Sequence, residues 1–144
     1  MQRQAITQGT KLRQAILGAF CFMVVGTTTE LYLLDHYEDV QQLIPLLCLG
    51  ASLVLVIVLL VKPTAWVVRS FQVLLGLTAL SGVYGAFLHL RANYEFEREM
   101  KPTATASEAL RESLSGALPS LAPGSMIVLA LIGYACLLLI TQDR

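Results

Sequence analysis

Four long stretches of this chain are almost free of charge, and polar residues crowd the gaps between them. The apolar stretches are 15–34, 43–61, 71–90 and 121–140. Each is close to the roughly 20 residues an α-helix needs to cross the hydrocarbon core of a bilayer. A soluble helix would instead alternate apolar and polar faces around each turn. The pattern predicts an all-α integral membrane protein. It is a four-transmembrane-helix bundle in one membrane domain over residues 1–144, with an outer loop at 91–120.

The residues between the spans refine this picture. Residues 1–14 are polar and basic, with Arg3, Lys11 and Arg13 and no acid. No small-residue cleavage site follows the first apolar run, so that span is expected to stay uncleaved. Pro45 falls in the first turn of the second span, where its missing N–H does no harm. Lys62-Pro63-Thr64 stops that helix, and Trp66 and Arg69 are natural interface anchors. The third helix is expected to run beyond residue 90 to Met100, because Arg91/Glu95 and Glu97/Lys101 sit four residues apart and pair only if the helix continues. Pro102 ends it. Ser107 is the expected N-cap of a short interfacial helix whose Leu110, Leu114 and Leu118 recur every fourth residue. Pro123-Gly124 predicts an irregular entry to the fourth span.

Composition agrees: 56% of residues are hydrophobic and 14% charged, against roughly 25% charged in soluble domains. Formal net charge is zero, so nucleic acid is not an expected partner. The charges are nonetheless segregated. With the N-terminus in the cytoplasm, six Lys/Arg and one acid fall inside, and four Lys/Arg and nine acids fall outside. The excess of basic residues predicts N-in/C-in topology. Cys21, Cys48 and Cys136 sit singly in three different apolar runs and read as small buried residues.

The candidate chemistry gathers at the acid-rich end. Glu30 lies one turn before the first span ends, and Asp35, His36, Glu38 and Asp39 follow it. His89, Asn93 and Glu97 recur at four-residue steps on the third helix. Carboxylate, imidazole and amide oxygen donors are those that divalent cations use, so Glu30, Glu38, His89, Asn93 and Glu97 form a candidate cation site. No cofactor other than such a cation is expected. The plainer reading is that Glu30 and His89 hydrogen-bond across a helix interface and the rim acids are solvated, with the His36 ring facing solvent. The third helix also carries a stripe of Thr78, Gly82, Gly85, Ala86, His89 and Asn93, and the first carries Ala19, Met23, Gly26 and Glu30. Small residues let helices approach closely, so these two faces are expected to meet.

Four spans with one carboxylate in the first resemble, in layout alone, the small multidrug resistance transporters. No motif matches residue for residue, and no residue role follows from the likeness. No nucleophile–base arrangement, phosphate loop or nucleotide fingerprint is present, so an enzyme is not expected. The functional expectation is a small non-catalytic accessory or interaction subunit, presenting an acidic extracytoplasmic face to a membrane-protein partner or to further copies of itself. The alternative is a small cation- or proton-coupled transporter, or a metal-handling membrane protein, centred on Glu30 and His89. The bilayer is the common partner in both readings, with a bacterial inner membrane as the expected location.

Overall fold

A computed structural model describes the backbone of residues 2–142 and the side chains from Gln8 to Gln142. Arg3, Asp143 and Arg144, three of the charges in the topology argument, lie outside the described side chains. Within the described residues the fold is all-helical: α1 (Gln2–Leu33), α2 (Val40–Val61), α3 (Ala65–Met100), α4 (Ala106–Ser113) and α5 (Gly124–Thr141). Four of them are long and apolar enough to cross a bilayer: Gln8–Leu33 within α1, then α2, α3 and α5. Large apolar side chains such as Phe22, Val54, Trp66, Phe87 and Leu131 stand exposed around the bundle. In water they would form patches far larger than a soluble monomer carries, whereas lipid accepts them. This is the build of a multi-pass membrane protein.

α1, α2 and α3 start earlier than their apolar runs, whereas α5 starts three residues later, at Gly124. Gln, Arg and Lys continue α1 back through the basic stretch to Gln2. Gln42 opens α2 by accepting the backbone N–H groups of Glu38 (2.8 Å) and Asp39 (3.2 Å). Thr64 caps α3, its hydroxyl accepting from the Val67 N–H at 3.3 Å. As expected from its charge pairs, α3 runs unbroken to Met100.

One helix end is built differently from expectation, and another as expected. The N-cap of α4 is Thr105, not Ser107: the Thr105 hydroxyl accepts from the Glu108 N–H (3.3 Å), and the Glu108 carboxylate accepts from the Thr105 N–H (2.9 Å). That reciprocal pair satisfies two orphan donors, which Ser107 alone would not do. The entry to α5 is irregular, as the Pro-Gly pair implied. Residues 119–126 climb through four bonds from a residue to the third before it, Ala122 to Pro119, Gly124 to Leu121, Ser125 to Ala122 and Met126 to Pro123, with Pro123 itself lacking a donor.

The bundle closes in the order α1, α2, α3, α5, with α3 and α5 the most extensive pair and α1 against α2 the loosest seam. α1 and α3 are therefore diagonal, and no Cα of one comes within 8 Å of the other. Across the centre Phe20 of α1 sets its ring edge against Phe71 of α3 (centroids 5.9 Å, 82°). This overturns the expected contact between the Gly26/Glu30 and Gly82/Gly85 faces. The stripe on α3 is an interface, but its partner is the entry to α5. A Cβ on Gly82 would lie 2.7 Å from the Pro123 carbonyl oxygen, and one on Gly85 3.0 Å from the Pro123 Cβ. The α1 stripe faces outward, and a Cβ on Gly26 would meet nothing within 4 Å.

This contact is testable. Gly82→Val should lower thermal stability in detergent by about 1–3 kcal/mol, the range for overpacking a filled site. The obstruction is backbone and cannot rotate away. Gly76→Ala, where a Cβ meets nothing within 4 Å, should be neutral or slightly stabilising. Equal effects would show that Gly82 is not a contact point.

Candidate functional site

The side chains singled out from the sequence lie at the end of the bundle that carries the α1–α2 turn and the 101–123 segment. Local backbone chemistry positions them. α1 ends with the His36 N–H bonded to the Leu31 carbonyl (2.9 Å), while Asp35 takes a positive φ of 50°. This six-to-one closure over a left-handed residue is a Schellman turn. Asp fills the position that glycine usually takes, since a short polar side chain tolerates it better than most. The turn swings His36 back over the bundle and leaves Tyr37 stacked on Tyr32 (centroids 5.7 Å).

His36 is half-buried and does not face solvent as expected. Its ring lies 6.4 Å, centroid to centroid, from that of His89 on α3. His89 Nδ1 is 3.2 Å from the Pro119 carbonyl oxygen. A carbonyl only accepts, so Nδ1 carries the proton and Nε2 is left for other partners. Burial, and then the charge His89 acquires on protonation, lower the affinity of His36 for a proton. No spacing rule in the sequence links positions 36 and 89. Their proximity follows from the bundle order and the turn.

Asn93 is buried, and its amide is fully used. Nδ2 donates toward the carbonyls of Ser113 (3.0 Å) and Leu118 (2.7 Å) and the hydroxyl of Ser120 (3.0 Å), while Oδ1 accepts from the Leu118 N–H (2.9 Å). Ser120 in turn donates to the Ser113 carbonyl (3.1 Å). Gly116 lies against the amide so closely that a Cβ there would be 2.5 Å from the Asn93 Cγ. One side chain thus organises the whole return segment 113–120. Glu97 faces Lys101 (3.6 Å), and Lys101 also bonds Glu112, tying the end of α3 to α4. The Lys101 ammonium holds the Glu112 carboxyl below its ordinary range.

The five candidate ligands therefore do different things. His89 and Asn93 hold the return segment, and Glu97 joins a surface ion-pair network. Glu38 is exposed in the turn, and Glu30 is exposed on the outward face of α1. Among the described residues, no three His, Cys, Asp or Glu side chains gather where a metal ion could sit. The three cysteines are free, with Cys48 and Cys136 buried.

Asn93→Ala should release the return segment, because it strands the Leu118 carbonyl and N–H in a confined site. The destabilisation should be about 1–3 kcal/mol, read as faster amide hydrogen exchange over residues 113–120 and little change in α2. Protection unchanged at Leu118 would refute the clamp.

The histidine pair predicts a pH dependence whose sign follows from the lowered proton affinity. Above the unfolded value of about 6.5 both states are neutral at His36 and stability is at its plateau. As pH falls below that value the unfolded chain takes up a proton that the folded chain resists, so stability declines until the folded pKa is passed. Thermal stability in detergent should fall between pH 7.5 and 5.5, and His36→Gln should flatten that limb. An unchanged limb in the variant would assign it to other groups.

No family model, curated protein or solved structure matches this chain.

Proposed function

We propose that the chain is a non-catalytic integral-membrane subunit that offers the acid-rich end of the bundle, on the extracytoplasmic side, to a membrane-protein partner. One observation carries this reading. The return segment is fastened by Asn93, Ser120 and the Lys101–Glu112 pair, yet Leu110, Leu114, Leu118 and Leu121 stand 41–79% exposed on it. In α4 the small residues Ala109 and Ser113 face the bundle, and Leu110 does not. A fastened backbone displaying a row of large apolar side chains suits recognition, since little order has to be gained on binding.

The orientation rests on the basic residues. Lys11, Arg13, Lys62 and Arg69 fall at the end opposite the return segment, and Lys and Arg are retained on the cytoplasmic side. A bacterial inner membrane suits this arrangement.

A second reading, cation or proton handling, has one observation in its favour: the approach of His36 to His89 beside the acidic turn. It moves the centre of that reading from Glu30 to the two imidazoles, whose ring nitrogens can hold a proton or a metal ion.

The experiment places a photo-crosslinker at Leu114 or, as a lipid-facing control, at Val54, in native membranes. A discrete protein adduct should form at Leu114, not at Val54, and should be lost in Leu110→Ser/Leu118→Ser. In the same membranes, a chain whose native cysteines are replaced should react with an impermeant thiol reagent at Thr105→Cys but not at Thr64→Cys. Labelling at position 64 alone would invert the topology, and no adduct at Leu114 would remove the partner.

A further inference from the structure

A second surface is left unpartnered inside the membrane-spanning part of the bundle. α1 turns Phe20, Val24 and Thr27 inward. Its opposite face carries Gly18, Ala19, Phe22, Gly26 and Glu30 at spacings of three and four, all exposed. A Cβ on Gly18 or on Gly26 would meet nothing within 4 Å, so the backbone is open to approach on that side.

Beside this face the loose α1–α2 seam opens into a cleft of about 230 Å³, lined by residues that include Val25, Thr29, Leu49 and Gly50. Its walls are effectively apolar, because the Thr28 and Thr29 hydroxyls are turned onto their own helix, donating to the Val24 (2.7 Å) and Val25 (2.8 Å) carbonyls. Face and cleft together form a shallow groove with room for the side chains of another helix.

Glu30 gives the groove a charge. Its carboxylate makes no hydrogen bond or ion pair with any described residue. The exposed apolar residues Tyr32, Leu33 and Leu34 lie beyond it toward the helix end, Leu33 at 73% exposure. By helix rise Glu30 lies about 3–6 Å deeper than those residues. A lipid-facing carboxylate at that depth is unfavourable unless a cation meets it. Of the four Lys and Arg at this end of the chain, Arg91 is engaged with Glu95, Arg98 with the Ala104 carbonyl and Lys101 with Glu97 and Glu112, while Arg111 lies on α4, which packs against α3 and not against α1.

A second copy of this chain does not meet the need. Two-fold packing of α1 on α1 would set Glu30 against its own equivalent, since copies in one membrane share an orientation. The nearest side-chain bases of α1, Lys11 and Arg13, lie 17–19 residues away, about 26–29 Å along the helix.

We propose that the Gly18/Gly26/Glu30 face of α1, with the cleft beside it, docks a transmembrane helix of a different protein that carries Lys or Arg about one turn from its end on the Glu30 side. The groove recognises a helix by close backbone approach at the glycines, and Glu30 selects its charge. This rests on the accessory-subunit reading and adds a site separate from the leucine row, so either can fail without the other.

The test uses the full chain in phosphatidylcholine vesicles at pH 7.5, with a donor dye at Thr64→Cys after replacement of the native cysteines. The acceptor is on a synthetic Leu/Ala transmembrane peptide bearing small residues every fourth position and Lys one turn from one end. A matched peptide has Leu in place of that Lys. Energy transfer should report about tenfold tighter association of the Lys peptide, the scale of one good interhelical polar contact. Glu30→Gln should abolish the preference, and Gly26→Leu should weaken both peptides. Equal binding of the two peptides would overturn the proposal. Loss of the Lys preference when phosphatidylethanolamine is added would assign the site to a lipid amine instead. Energy transfer between two labelled copies that is lost in Gly26→Leu would assign it to a homodimer.

Discussion

The architecture depends on one close approach, that of the α5 entry turn to α3 at Gly82. With no side chain there, the Pro123 carbonyl rests against the helix, and the position of everything on either side of that turn follows. N-terminal to it, Pro119 and Ser120 are brought to His89 and Asn93. C-terminal to it, α5 is carried down the bundle so that Gly133 lies beneath Leu75 and Phe20. In a bilayer this kind of contact matters more than in water, because lipid tails are as apolar as leucine and packing must supply what the hydrophobic effect does not.

The spans, their number and the long third helix were legible because bilayer thickness imposes a length on apolar runs and proline punctuates them. Partner choice was not. The stripe of Thr78, Gly82 and Gly85 announced a close contact, but small residues do not encode which helix approaches. The chain had α5 return to α3 through a segment whose course is set by Asn93. That residue also shows why site reading failed locally: an amide at a four-residue step from His89 looks the same in sequence whether it binds a cation or saturates three backbone groups and a hydroxyl. The N-cap of α4 was readable, since Thr105-Ala-Ser-Glu108 spells a capping box that the nearer Ser107 obscured.

Electrostatically the two ends of the molecule are unlike in kind as well as in sign. At the acid-rich end several charges are spoken for: Lys101 bridges Glu97 and Glu112, Arg91 pairs with Glu95, and Glu108 closes the α4 cap. Exposed pairs of this sort contribute little to stability singly, so their effect is to order the surface that Asn93 has already folded. Glu30 stands apart from this network by a full bundle width, on the diagonal helix.

The unbroken run of α3 has a mechanical consequence. Its 36 residues make a rod of about 54 Å, against a hydrocarbon core of about 30 Å. Some 24 Å of helix therefore lies outside the core, and about 15 Å of it, residues 91–100, stands at the return-segment end with no proline or glycine hinge between Gly85 and Met100. A rod of that kind is a lever with its fulcrum at the membrane surface. A tilt of about 10° within the bilayer would sweep its tip sideways by about 3 Å, and the return segment, lashed to it at Asn93 and Lys101, would move with it.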